Sequence, residues 1–196
     1  MKIQISNEIL DKFSLINSEY LVDERWYSLR SGRQEYRLYS YLSTFYNNCV
    51  ILDIGTYYGT SAIALSHNSS NKIISYNIKN EIPLDHKIRS VKNIEFRVKN
   101  VLNDLNSEFI KNVKVILIDI DHYGKNEENI LQKLRDLNYS GVILLDDIHH
   151  PDAKMKVEME KLWNNIPEEK FDVTKYGHHS GTGIVLFNTK SVFEFV

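Results

Sequence analysis

The sequence predicts an α/β fold: a mostly parallel sheet with helices on both faces and a reversed last strand. Three observations carry this. Short apolar, β-branched runs alternate with segments of helical periodicity along most of the chain. The first clear run, Val50 to Ile54, ends in a glycine-bearing turn that opens a helix, as a parallel strand feeding a crossover does. The last two runs have no helix between them, only the loop from Tyr176 to Thr182, so they pair most easily antiparallel.

The elements follow in order. The section to about Ser31 is mixed and aromatic, with Tyr20, Trp26 and Tyr27. Arg33 to Tyr46 reads as a helix with Tyr36, Leu38, Tyr39, Leu42 and Phe45 on one side. Cys49 to Leu52 is apolar throughout, as a strand covered on both faces should be. Gly59 opens the small-residue helix Thr60-Ser61-Ala62-Ile63-Ala64-Leu65. Lys72 to Asn77 and Ile94 to Val98 read as the second and third strands, with a short helix expected from Pro83 to about Arg89. Val113 to Ile118 is the clearest central strand. Asn126 to Leu137 repeats Ile130, Leu131, Leu134 and Leu137 as a helical stripe. Gly141 to Leu145 is the next buried strand, and Met155, Met159, Leu162 and Trp163 mark another helix. Phe171 to Val173 and Gly183 to Phe187 close the sheet.

Composition excludes several classes. A chain of 196 residues is long enough for one domain with a real core. Its formal net charge of -2 gives no electrostatic case for nucleic acid. Cys49 is the only cysteine, which rules out an internal disulfide and a cysteine-based zinc site. The first residues lack the apolar core of a signal peptide, and no run approaches the roughly 18 apolar residues of a membrane span. A cytoplasmic location is therefore expected.

The turn after the first strand is Gly-x-x-x-Gly, Gly55 to Gly59, and not the Gly-x-Gly-x-x-Gly of a dinucleotide binder. Gly55 allows a sharp turn and a close approach to a ligand. The amides opening the next helix can receive an anionic group such as a carboxylate. A second constellation is acidic. Asp119 and Asp121 end the central strand, and Asp146 and Asp147 end the next one. Neighbouring ends of parallel strands converge on one crevice, where three or four carboxylates repel unless protonated or neutralised by a cation. A hard divalent ion, Mg²⁺ above all, is the natural partner.

Four stretches resemble a known family: Asp53 to Ala62, Ile118 to His122, Gly141 to Pro151, and Ser180 to Phe187. Across roughly residues 33 to 188 the chain resembles class I S-adenosylmethionine-dependent methyltransferases, closest to the small metal-dependent O-methyltransferases of the catechol and antibiotic-sugar type. That resemblance implies a Rossmann-like, seven-stranded sheet in a domain of residues 32–196. It leaves residues 1–31 as a lid or a dimer-contact segment. It also implies S-adenosylmethionine as cofactor and a small hydroxylated molecule, such as a sugar or diol, as partner.

The cofactor residues then expected are Asp53 and the turn Gly55, Thr56, Tyr57, Gly59, Thr60 and Ser61 for the methionine end. Asn77 is expected at the ribose, and Ile78, Asn100 and Val101 around adenine, with Asp119 nearby. Family members usually carry Asp or Glu where this chain has Asn77. A neutral acceptor is weaker there by roughly 1 kcal/mol. Asn77 and Asn100 are equally readable as plain turn residues. The resemblance assigns Asp119, Asp146 and Asp147 as metal ligands. Asp121, two residues beyond Asp119, is the first candidate for general base, by spacing and by resemblance; its alternative is a helix cap. His149 is the second candidate, with His122 and His150 as rivals, because imidazole titrates near neutral pH. His178 and His179 could line the substrate mouth. Two other classes stay open: a non-catalytic cofactor-fold scaffold, favoured only by Asn77, and a nicotinamide-dependent oxidoreductase, opposed by the glycine spacing.

Overall fold

The computed structural model describes residues 1–15, 17–24 and 30–196, and of residues 30–33 the backbone alone. Trp26 and Tyr27, read from sequence as part of a lid or dimer contact, lie outside the described residues, as does the Arg30 side chain.

Seven strands form one sheet: β2 (Val50–Ile54), β3 (Lys72–Asn77), β4 (Ile94–Val98), β5 (Val113–Ile118), β6 (Gly141–Asp146), β7 (Glu169–Asp172) and β8 (Thr182–Phe187). Their spatial order is β4-β3-β2-β5-β6-β8-β7. β2 to β6 pair parallel, while β8 runs antiparallel to both β6 and β7. The expected reversed last strand of the sheet is therefore β8. The chain order turns back between β2 and β5, which creates a crevice at the carboxyl ends of those strands.

Alternation along each central strand builds two cores. Ile51, Val115, Leu117, Val142 and Leu144 face one cluster, and Leu52, Ile116, Ile118, Ile143 and Leu145 face the other. The first cluster is covered by α2 (Arg30–Ser43) through Leu38, Tyr39 and Leu42, and by α3 (Thr60–Leu65) through Ile63 and Leu65. The second is covered by α5 (Lys125–Asp136) through Ile130, Leu131 and Leu134, and by α6 (Ala153–Asn165) through Met159, Leu162 and Trp163. α6 begins because Asp152 caps it, its carboxylate accepting from the amides of Lys154 and Met155 at 3.0 and 3.1 Å. A short α4 (Ser107–Ile110) precedes β5, capped in the same way by Asn106.

Three features differ from the sequence reading. Between Pro83 and β4 the chain forms a 3₁₀ turn at Lys87–Ser90, not a helix starting at the proline; the His86 ring nitrogen caps it, accepting from the Ile88 amide at 3.2 Å. Cys49 sits buried just before β2 and contacts Asn71. A second, two-stranded sheet joins the ends of the chain: β1 (Lys2–Ile5) pairs parallel with β9 (Val192–Phe195). Ile3, Ile5 and Leu10 of α1 (Asn7–Leu10) are fully buried in the first core. No helix among the described residues is long and apolar enough to cross a membrane.

Gly55 ties the two halves of the crevice together. It has φ +103°, and a Cβ there would lie 1.5 Å from the Asp119 carbonyl oxygen. The close approach expected of this glycine is thus to the end of β5, whose Asp119 amide also donates to the Ile54 carbonyl at 2.9 Å. Gly55→Ala should cost about 3 kcal/mol or more of folding stability, from the clash and the left-handed backbone together. Urea denaturation checks this; an unchanged midpoint would mean the turn is not seated on β5.

Candidate functional site

A cavity of about 600 Å³ opens at the carboxyl ends of β2, β3, β5 and β6. That volume suits a small-molecule or cofactor site. Its wall divides into two chemically distinct parts.

One part is built by the turn after β2 and the ends of β3 and β4. Gly55, Thr56, Tyr57, Tyr58, Thr60 and Ser61 line it, opposite Tyr76, Asn77, Ile78, Asn100, Val101 and Leu102. The Gly55 and Thr56 amides donate to the Tyr76 carbonyl at 2.9 and 3.3 Å, and the Gly59 amide to Thr56 at 2.7 Å. These amides hold the turn in shape. The Thr60 hydroxyl is buried with no hydrogen-bond partner, and a buried hydroxyl left so calls for a ligand. Asp53 stands behind this wall, 0% exposed, accepting from the Ser75 hydroxyl at 2.8 Å. Burial pushes its carboxyl up, against the pull of the nearby Thr56, Ser75 and Ser61 hydroxyls.

The other part is acidic. Glu35 of α2, Asp119, Asp121, Asp146 and Asp147 line it together with His122 and His178. Burial raises the carboxyls of Asp119 and Asp146 well above the ordinary range, and each is raised further by neighbouring carboxylates. The Asp119 side chain keeps 36% of its surface accessible, which opens into the cavity. Glu35 is 6% exposed and is pushed up to about 8, first by burial and then by the charge of Asp119. Its carboxyl accepts from the Tyr39 hydroxyl, and its charge helps to push the neighbouring Asp146 carboxyl up.

Asp147 differs from its neighbours. It holds a left-handed backbone, φ 56°, unusual for a non-glycine residue and a common mark of functional sites. Its carboxylate meets three histidines: His178 Nδ1 at 3.4 Å, His122 Nε2 at 3.5 Å and His150 Nε2 at 3.6 Å. Burial pushes the Asp147 carboxyl up, but these rings outweigh it and hold it below the ordinary value. His178 is correspondingly raised: burial disfavours its cation, and Asp147 and Asp146 more than restore it. His122 goes the other way, lowered chiefly by burial, and its Nε2 stands 3.5 Å from both Asp119 and Asp147. Asp146, Asp147 and His178 each offer one ligand atom within 4.8 Å of the others.

No family model and no curated protein matches the sequence. Solved structures do match in fold. The model superposes on cofactor-bound Rv0187 from MTB with a TM-score of 0.58 at 15% identity, covering 93% of this chain and 88% of that one. For the O-methyltransferase TomG of Streptomyces achromogenes, in complex with SAM, the TM-score is 0.57 at 16% identity, over 93% and 91% of the two chains. The SAH-bound methyltransferase PaMTH1 of Podospora anserina gives 0.55 at 16% identity, over 91% and 92%. The chain has the class I S-adenosylmethionine-dependent methyltransferase fold.

Within that fold the expected residues fall into three groups. Gly55, Thr56, Tyr57, Thr60, Ser61, Asn77, Ile78, Asn100, Val101, Asp119, Asp121, Asp146 and Asp147 all line the one cavity. Asp53 and Gly59 stand behind the wall: Asp53 is sealed off, and Gly59, at φ +86°, starts α3 against the Ile88 side chain. His149 is turned away, its Nε2 2.7 Å from Asp172 and its Nδ1 3.6 Å from Glu160. Some cavity residues also serve their own turns. Asn77 accepts from the Ile78 amide at 3.0 Å, Asn100 caps a 3₁₀ turn through the Leu102 amide at 2.9 Å, and Asp121 accepts from the Asn126 side chain at 2.7 Å. Asp119 faces the cavity outside the 4.8 Å group, and His178 takes its place there. Sequence reasoning missed Glu35. Its signal was available: a carboxylate one turn before Tyr39 on the apolar side of the helix.

Glu35 makes metal-free stability depend on pH in a defined direction. Its folded-state value, about 8, lies above the ordinary 4.5, so its contribution is full below 4.5 and is lost as pH rises towards 8. Glu35→Gln should therefore stabilise the metal-free protein at pH 8, by on the order of 1–3 kcal/mol, with the gain shrinking towards pH 5. Thermal melts of both proteins across that range check it; parallel pH profiles would show that Glu35 is ionised at no cost.

Proposed function

We propose that this protein is an S-adenosylmethionine-dependent O-methyltransferase acting on a hydroxyl of a small molecule, such as a sugar or diol, with help from a divalent cation. The observation that carries this is the single cavity with two unlike walls. A hydroxyl-rich and apolar wall suits the cofactor, and it adjoins buried carboxylates whose oxygens have no partners. The fold and the similarity to the SAM-bound O-methyltransferase TomG support the same reading.

The chain's residues divide the work as follows. Thr60 offers an unpaired hydroxyl to the cofactor's amino-acid end, with Thr56 beside it on the same wall. Asn77 serves the ribose, while Ile78 and Val101 flank the adenine, beside the Asn100 turn. Asp146 and Asp147 are the oxygen donors toward the cation, and Asp119 lines the same cavity. When bound, S-adenosylmethionine supplies an electrophilic methyl group, and the cation a Lewis acid that lowers the pKa of a hydroxyl. Two groups on the wall can accept the hydroxyl's proton. Asp121 is exposed at the rim. His122 is held neutral by burial, and a proton gained at its Nε2 would sit between Asp119 and Asp147. The enclosing walls fix the reacting groups relative to one another, the main catalytic task in such a transfer.

S-adenosylmethionine should raise the melting temperature and bind in calorimetry, and Asp146→Asn should lower methyl transfer to a diol acceptor by roughly a hundredfold or more. Full activity in that variant, or in excess chelator, would sink the metal-assisted reading. A separate check bears on the cofactor wall. Asn77→Asp should tighten S-adenosylmethionine binding by about fivefold, close to 1 kcal/mol, because a carboxylate accepts more strongly than an amide. Equal or weaker calorimetric affinity would place the ribose elsewhere.

A further inference from the structure

We infer that His178 is a direct ligand of the cation at Asp146 and Asp147, so that the site takes a first-row transition metal in preference to Mg²⁺. The inference shares its metal seat with the methyl-transfer reading but does not depend on the substrate.

Three atoms carry it. Asp146 Oδ1, Asp147 Oδ1 and His178 Nδ1 are all buried, and none has a hydrogen-bond partner. One orphaned polar atom is a local oddity. Three on residues that each offer a ligand atom within 4.8 Å of the others call for a common partner. His178 Nδ1 and Asp147 Oδ1 are 3.4 Å apart, long for a hydrogen bond and a spacing that two ligands of one ion also tolerate.

The loop that carries His178 is also fixed in place. Its amide donates to Thr182 Oγ1 at 2.9 Å, and its carbonyl accepts from the Gly181 amide at 2.9 Å. The same loop is bound to the end of β6, where the His149 amide donates to Ser180 at 2.7 Å and the Ile148 amide to Gly181 at 3.2 Å. Gly181 has φ +100°, and a Cβ there would meet the His149 amide at 2.6 Å. The loop therefore closes against the strand end that carries Asp146 and Asp147, and delivers the ring to them on a rigid backbone.

A nitrogen in the ligand set changes which ion is preferred. Mg²⁺ demands oxygen ligands and keeps its waters, whereas imidazole suits later first-row ions. The orphaned set is two carboxylate oxygens and one imidazole nitrogen, a mixed set that Co²⁺, Mn²⁺ or Zn²⁺ accepts.

The test uses metal ions alone on the full chain. Co²⁺ should bind at least tenfold more tightly than Mg²⁺ by calorimetry, and His178→Ala should weaken Co²⁺ by tenfold or more while changing Mg²⁺ much less. Circular dichroism and melting curves confirm that the variant is folded. Pulsed electron paramagnetic resonance on Mn²⁺-loaded wild-type protein keeps the inference open to refutation even if it is not. A directly bound imidazole nitrogen should appear, change on ¹⁵N-histidine labelling, and persist in His122→Ala and His150→Ala. Mn²⁺ without nitrogen coupling, coupling that survives in His178→Ala, or no metal binding at all overturns it. In the first of those cases His178 is an internal cation for Asp147. If S-adenosylmethionine binds while the nitrogen signal is missing, the methyl-transfer reading survives and this inference falls. If the signal is present but S-adenosylmethionine does not bind, the reverse holds.

Discussion

Carboxylates forced together at the ends of two adjacent parallel strands are the constraint on which this site depends. β5 and β6 pair in register, Ile118 against Leu145, so the residues that follow them emerge side by side. Asp119, Asp146 and Asp147 therefore meet in one crevice, with Glu35 brought in from α2. Like charges at such range cannot all remain ionised in a poorly solvated place. The structure relieves the conflict in two ways at once. On the Glu35–Asp146 side, burial and mutual repulsion push both carboxyls up, towards their neutral forms. On the Asp147 side, three imidazoles gather around one carboxylate. The same arrangement leaves oxygens unpartnered, and these are the atoms to which the proposed cation would bind.

The wall proposed for the cofactor is mechanically joined to this acidic wall. Gly55 lies so close to the Asp119 carbonyl that no side chain fits between them. The turn that shapes one wall thus rests on the strand end that carries the other. Tyr76 completes the junction: its carbonyl receives the Gly55 and Thr56 amides, and its hydroxyl bonds to Asp104 at 2.8 Å. Arg97 reaches both that hydroxyl and Asp104, at 2.8 and 2.9 Å. The position of the glycine turn is set by backbone packing and by a polar network on the next two strands.

The fold was legible because burial on both faces writes itself plainly in a strand. Val113 to Ile118 and Gly141 to Leu145 had to be central, since nothing but two covered faces explains uninterrupted apolar runs. The reversed β8 followed from a missing crossover helix. The added β1–β9 pair was not legible, because four-residue strands at the chain ends carry too little pattern and pair only through tertiary contact. That residues at the strand ends share one cavity was legible for the same topological reason as the strands. His149 was not placed correctly by adjacency to Asp147. One left-handed residue, Asp147, rotates the chain after β6, sends His149 towards Asp172 and leaves His150 on the Asp147 side. Backbone sign changes of this kind are invisible to spacing arguments.

Glu35 shows where local pattern and global chemistry part company. On α2 it shares the buried side with Leu38, Tyr39 and Leu42, where an apolar residue would pack at no electrostatic cost. Helical periodicity alone treats such a residue as noise in an apolar stripe. Physical chemistry treats it as an expense that something must offset, because a lone buried carboxyl stays neutral or finds partners. Here it does both, through Tyr39 and Asp146. Glu35 thereby attaches a helix outside the strand-end motifs to the electrostatics of the site. The acidic constellation is thus a property of two layers of the fold, the sheet and the helix that covers it, and the burial of Glu35 beside Asp119 and Asp146 limits how much negative charge the cavity presents.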